Sequence, residues 1–384
     1  MHVSLNTPLN TPLNVPVFHA DELRAQQLAG VLTPADAPIR EQLPDQHRTF
    51  FAGLPYLFLS AIDPDGWPVA TVLTGTPGFA TSPDPGTLHI AAASTLLMDM
   101  SNATEATFGA GRQIGILGLD LATRRRNRVN GKIKNVEYDA RGISALTLAV
   151  DQSFGNCPQY IQRRSVQPAA VPALASAPVS KPDTTASAQE HRNDVEKLDR
   201  LDMAARAMIA AADTFFVASR SRPEGDPEEN SVAGTAANTV ASTVAHSARN
   251  AGADISHRGG KPGFVHVHAD ADAGTDDLWI PDFPGNGYFN TLGNLLGEPR
   301  AALLFIDFTT GTVLHLQGLA EIHWHPQAIN AQEGAERFWR FRVQRGWRLE
   351  AALALRWSFN DASPMTARTG VWHQRSGLPG AAIT

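Results

Sequence analysis

The sequence predicts a mainly β protein in which two small barrel-like domains, each carrying short helices, pack against each other as a pseudo-dimer within one chain. Three observations predict it. First, landmarks recur in collinear order: Phe50-Phe51 and Phe215-Phe216, the Pro-Gly-Phe of LTGTPGF at 73–79 and of RGGKPGF at 258–264, Leu119-Asp120 and Ile306-Asp307, then Gly131 and Gly318. A period of domain size means a duplicated domain, because solenoid and propeller repeats are far shorter. Second, each half reads as a succession of short apolar, partly alternating runs broken by turn residues, the signature of an antiparallel meander. Third, long helices do not alternate with those runs, which excludes a doubly wound parallel sheet. A small closed or partly open barrel is how such sheets avoid exposed edges.

Residues 1–17 contain the NTPLNTPLN tandem and read as a disordered tail. In the first domain, residues 18–163, DELRAQQLAG and PDQHRTFFAGL predict short helices. YLFLSAI, an Asp-Pro-Asp-Gly turn and PVATVLT then form a hairpin, and TLHIAAA, QIGILGLD, RVNGKIKNV and SALTLAVD supply further strands. Residues 164–190 are Pro/Ala/Ser-rich and read as a linker. The second domain, residues 191–384, opens with a helix of about five turns, because Val195, Leu198, Leu201, Ala205, Met208 and Ile209 recur at helical spacing. FFVAS follows, then a Ser/Ala/Thr/Gly-rich insertion at 220–250 and the strands GFVHVHA, DDLWIPD, AALLFIDF, TVLHLQGLAEIHW and RFWRFRV. NGYFNTLGNLLGEP between two of them predicts a short helix with Asn286 capping its start.

The 384 residues suffice for two domains with cores of their own. No apolar run is long enough to span a bilayer, and the N-terminus lacks a basic region followed by an apolar one, so neither a membrane nor an export signal is expected. The single cysteine, Cys157, allows no internal disulfide and points to a reducing cytoplasm. A net charge of −6 argues against a general nucleic-acid binder, and the one basic run, RRRNR at 124–128, has no interleaved aromatic platform.

An anion is the ligand the motifs fit best. ISHRGGKPGF gathers Ser256, His257, Arg258 and Lys261 around Gly259 and Gly260, which allow a ligand close to the backbone. IPDFPGN then brings Pro281, Asp282 and Asn286 to a helix start, where free N–H groups and the dipole favour negative charge. The first copy has no cation in its equivalent turn, but its later hairpin carries Arg126, Arg128 and Asn130, and GNCPQY adds Cys157, Gln159 and Tyr160. An exposed basic edge that blunts strand aggregation is the plain alternative for the arginine run. His266-x-His268 and His323-x-His325 lack third and fourth ligands at zinc-like spacing, so no metal site is expected.

As a set these motifs resemble the pyridoxamine 5'-phosphate oxidase-like family of FMN-binding split β-barrels, and its duplicated bacterial branch in particular. SHRGGKPGF, IPDFPGN, LGNLLGEPRAALLFIDF and LQG carry the likeness in the second copy; QHRTFFAGLPYL, LTGTPGF, RRRNRVNG and QSFGNCPQYIQ carry it in the first. The resemblance implies FMN at the interface of two barrels, and an oxidoreductase acting on a small molecule of unknown identity, with a ferredoxin-reductase-like module as electron donor. It implies that Cys157 lines the flavin pocket without being a nucleophile. Because the phosphate-type residues survive in copy two and the arginine hairpin in copy one, it also implies one composite site per chain. A non-enzymatic flavin carrier or sensor and a haem-handling protein are the rival readings on the same fold.

Overall fold

The computed structural model describes residues 17–34, 37–91, 106–139, 142–169, 195–222, 252–270, 274–325 and 332–372. Two short helices, α1 (Ala20–Leu28) and α2 (Asp45–Ala52), precede a sheet of seven strands: β1 (Tyr56–Ile62), β2 (Pro68–Thr74), β3 (Ala80–Thr81), β4 (Thr87–Ile90), β5 (Gln113–Asp120), β6 (Arg125–Asp139) and β7 (Gly142–Gly155). After β8 (Arg163–Pro168) and β9 (Glu196–Leu198) comes helix α3 (Met203–Ala211). The second sheet holds β10 (Thr214–Arg220), β11 (Ala253–Gly259), β12 (His266–Asp270), β13 (Thr275–Asp282), β14 (Arg300–Ile306), β15 (Val313–His323) and β16 (Arg337–Leu349), with helix α4 (Asn290–Gly297) between β13 and β14. Strand β17 (Leu355–Asp361) returns to pair with β8, which ties the end of the second half to the end of the first.

The two sheets run in the same order. The first is β2-β1-β5-β6-β7-β4-β3 and the second β11-β10-β14-β15-β16-β13-β12, with β9 added against β16. Register makes the correspondence residue by residue: Leu117 on β5 lies between Phe58 and Arg128, and Leu304 on β14 lies between Phe216 and His315. Both β6 and β15 bulge at the same point, Asn130/Gly131 and Gln317/Gly318. Glycine is required there, because a Cβ on Gly131 would sit 1.9 Å from the Ala149 carbonyl oxygen and one on Gly318 would sit 2.3 Å from that of Arg342.

Several expectations change. The sheets stay open and do not close into barrels. One edge of each sheet, β2 and β11, packs against the other half, which covers that row of backbone groups. Edge strand β2 is covered by the second half, where the Ala70 N–H donates to His315 Nε2 (3.2 Å) and Gln317 Nε2 donates to the Pro68 carbonyl (2.9 Å). The Phe-Phe match is a coincidence of sequence: Phe50 and Phe51 lie on a helix, Phe215 and Phe216 on a strand. The residue equivalent to Phe216 is Phe58, and the two rings stack at 3.6 Å in a third core between the sheets, shared with Leu117, Val72, Ile255 and Leu304. The expected five-turn helix shrinks to the nine residues of α3, because Asp202 caps it through the Ala205 N–H and Leu198 is buried from strand β9 instead. Extended pairing in β8 carries through Pro168, past the start of the Pro/Ala/Ser-rich composition. Most of that stretch, 170–190, and residues 223–250 of the insertion lie outside the described residues, as does the 1–16 tail.

Candidate functional site

The two halves meet at a cleft of about 310 Å³. Strand β6 and the loop after β7 form one wall; β11, the segment from Pro281 to Leu292 and the start of β16 form the other. Twelve of the fourteen residues singled out in the sequence line it together: Arg126, Arg128, Cys157, Gln159 and Tyr160 from the first half, and Ser256, His257, Arg258, Gly259, Pro281, Asp282 and Asn286 from the second. Asn130 stands behind the wall, buried, donating to Asp254 Oδ1 (3.2 Å) and Gln152 Oε1 (3.4 Å). Lys261 is exposed and outside the lining.

The charge balance of the cleft favours an anion. Four arginines line it, Arg126, Arg128, Arg258 and Arg337, against two carboxylates, Asp282 and Glu336. Arg128 is engaged by Asp254 behind it (3.0 Å), by Asn290 Oδ1 (3.3 Å) and by the Ser256 hydroxyl. Asp282 takes both Arg258 (3.1 Å) and Arg337 (2.5 Å), and Arg337 also reaches Glu336 (2.8 Å). RRRNR does not form a sheet edge, because β6 lies between β5 and β7; Arg125 is exposed, whereas Arg128 is buried in an ion pair across the halves. Arg126 differs from the other three. Among the described residues it has no carboxylate partner, its nearest polar contact being His257 Nδ1 at 3.5 Å. Burial, then the neighbouring charges of Arg128 and Arg258, push its guanidinium down to about 9, so it stays cationic at neutral pH while lacking a counter-charge.

Polar groups that need a partner face the same space. His257 is buried, and burial together with Arg126 and Arg258 holds its imidazole well below the usual value, so the ring is neutral and its Nε2 has no partner. Asn156 Oδ1 and Gln159 Oε1 are likewise buried without a hydrogen bond. Helix α4 adds an open N-terminus, because its N-cap, Phe289, stands in the left-handed region (φ 59°) and no side chain caps it. Asn286 does not cap it: its Oδ1 accepts from the Tyr288 N–H (3.2 Å) in a turn before the helix. Asn290, Thr291 and Leu292, the first turn of α4, line the cleft. Sequence reasoning missed them, although an Asn-Thr pair at a helix start was a usable signal. It also missed Phe283, which lies within IPDFPGN, and Val31, Glu336 and Arg337, for which no local signal exists.

The loop carrying Cys157 to Tyr160 is held rigidly. Tyr160 is in the left-handed region (φ 62°), its N–H donates to Ser363 Oγ (3.2 Å) and its ring stacks on Phe283 at 5.4 Å. A non-glycine residue there costs on the order of 1–2 kcal/mol, a strain found mostly where a site over-determines it. The Tyr160 carbonyl rests against Gly259, where a Cβ would come within 2.2 Å of the oxygen. Gly259→Ala is therefore expected to push the loop off β11 at a cost of about 1–2 kcal/mol. Faster proteolytic cleavage after the β7 strand with the rest of the chain intact would show it; an unchanged cleavage rate would refute it.

The position related to Arg128 by register is filled differently. His315 and Gln317 stand where Arg128 and Asn130 stand, and both are spent on the backbone of β2. Facing them, Thr71, Val72 and Leu73 replace Ser256, His257 and Arg258. One histidine of each pair in the second half packs on an aromatic ring, His266 on Trp372 (5.4 Å) and His323 on Trp279 (5.0 Å). Among the described residues no helix is long and apolar enough to cross a membrane.

No family model and no curated protein matches the chain. Among solved structures it is similar to a candidate pyridoxamine 5'-phosphate oxidase from Lactobacillus delbrueckii (16% identity over 30% of this chain and 95% of that one, TM-score 0.24). It is also similar to a FAD-binding protein from Mesorhizobium loti (12% identity, 40% and 96% covered, TM-score 0.20) and to the inhibitor of motility of Bacillus subtilis (9% identity, 75% and 87% covered, TM-score 0.17).

Proposed function

We propose that the chain is a duplicated two-sheet flavoprotein that binds one FMN in the cleft between its halves and acts as an oxidoreductase on a small molecule, reduced by a separate electron donor. The observation that carries the reading is Arg126, a half-buried cation with an unpartnered Nε and, among the described residues, no carboxylate partner, in a cleft built from both halves. The motif resemblance and the common strand order support it. Bound FMN would supply the redox chemistry, and the protein would supply position and electrostatics.

In this reading Arg126 and the open start of α4 hold the phosphate. Arg258, assigned that role from sequence, is occupied by Asp282 and instead keeps the second wall in place. Tyr160 and Phe283 offer a flat apolar flank to a ring system. His257, neutral, offers Nε2 to a hydrogen-bonding edge, and Cys157 forms part of the wall.

One site per chain is what the register predicts: in the other half Val313 stands where Arg126 stands and the neutral, buried His315 where Arg128 stands, so a phosphate placed there would lose the guanidinium that holds it and be desolvated without that counter-charge. Titration of the purified protein with FMN is expected to saturate at one flavin per chain, with riboflavin binding more weakly. Two flavins per chain would refute the composite site. Equal affinity for FMN and riboflavin would remove the phosphate role, and no flavin binding at all would remove the function.

A further inference from the structure

Helix α1 belongs to the first half by sequence, yet it packs against α4 of the second. Its Glu22 is fully buried and accepts from Asn290 Nδ2 (2.7 Å); His19 Nε2 meets Asn294 Oδ1 (2.9 Å) one turn further along. The helices touch at Gly293, where a Cβ would lie 2.7 Å from Glu22 Cα. Asn290 is the pivot. Its Nδ2 is committed to Glu22, which turns its Oδ1 toward the cleft, where Arg128 Nη1 donates to it (3.3 Å). The amide therefore has one orientation, set by a carboxylate 268 residues away in sequence. At the far end of α1 the chain continues to Val31, which itself lines the cleft.

We propose that Glu22 is a positioning residue for the anion end of the cleft: it sets the amide of Asn290, and through it the first turn of α4 and the Arg128 guanidinium, without touching the ligand. The N-terminal helix thereby makes ligand affinity depend on its own docking. Glu22 also accepts from the His19 N–H (3.0 Å) and so caps α1; a clamp that acts through Asn290 is told apart from that cap by FMN affinity, which removing Glu22 changes only while Asn290 is present. This inference rests on the FMN reading above, because the phosphate is the group whose binding Glu22 controls.

The test is flavin titration of the full chain as wild type, Glu22→Ala, Asn290→Ala and the double variant, with FMN and with riboflavin. Glu22→Ala is expected to weaken FMN about tenfold and to leave riboflavin unchanged, the loss of one hydrogen bond in a charged network. In the Asn290→Ala background the same change is expected to do nothing further. Equal losses for the two flavins, or losses that add in the double variant, would show a general effect on folding and overturn the proposal. Should Glu22→Ala fail to fold, Glu22→Asp, which keeps the charge and shortens the reach, is read in the same way; an unchanged FMN-to-riboflavin ratio in it overturns the proposal. A wild-type protein that does not prefer FMN over riboflavin is a distinct outcome: it removes the phosphate reading and this inference with it.

Discussion

Acidification is expected to separate the two halves, with His315 as the residue responsible. Its ring is fully buried between them, Nε2 accepts from the Ala70 N–H, and Nδ1 has no partner. Burial, reinforced by the Arg345 guanidinium, lowers it to about 3, against 6.5 for a free histidine. The unfolded chain therefore takes up a proton below pH 6.5 that the folded chain refuses until about pH 3, and stability is lost as pH falls through that window. At 1.36 kcal/mol per unit, the loss by pH 4 is roughly 3 kcal/mol from this residue alone. His257, held well below its usual value by burial and by Arg126, contributes with the same sign. A protonated His315 would also point an N–H at the Ala70 N–H, so the edge of β2 is where opening starts. His315→Gln keeps a neutral acceptor and is expected to flatten the dependence of the urea midpoint on pH between 6.5 and 4. Parallel pH profiles for the two proteins would show that the acid sensitivity lies elsewhere.

Replacing Arg126 with alanine is expected to cost about 2–3 kcal/mol of FMN affinity, roughly 30- to 140-fold, while riboflavin affinity holds. The effect is large because the cation is already partly desolvated and has no carboxylate partner among the described residues before any ligand arrives, so an anion gains a charged contact without displacing a carboxylate. Arg258→Ala is expected to do less to the phosphate and more to the wall, since it frees Asp282 from one of its two arginines. Removing Arg126 should also relieve the repulsion it shares with Arg128 and Arg258, so the ligand-free variant is expected to be at least as stable as the wild type. Loss of thermal stability without flavin, or an FMN-to-riboflavin ratio equal to that of the wild type, would contradict the role given to Arg126.

Much of this was legible along the chain, and the reason is locality. Alternation in YLFLSAI and AALLFIDF, the Asp-Pro-Asp-Gly turn and the Pro-Gly-Phe turns report backbone states that neighbours within a few residues decide. Gly131 and Gly318 were found because each marks a bulge against which a partner carbonyl packs. The Phe-Phe pairs misled for a complementary reason: burial asks only that a face be apolar, and a helix and a strand meet that demand with the same residues.

Residue types able to handle an anion, their division between two halves and the mainly β character were determined by the sequence alone, because composition and short-range pattern suffice for them. Which arginine is free was decided by tertiary structure. Arg126, Arg128 and Arg258 are the same group in sequence; what separates them is that Asp254 and Asp282 stand beside two and not the third. Glu22 reaching Asn290, and His315 sealing the position that Arg128 leaves open in the other half, are decided the same way. The physical reason is that charge pairing and desolvation depend on distance in space over a few ångströms, and in this fold those ångströms join residues more than a hundred positions apart.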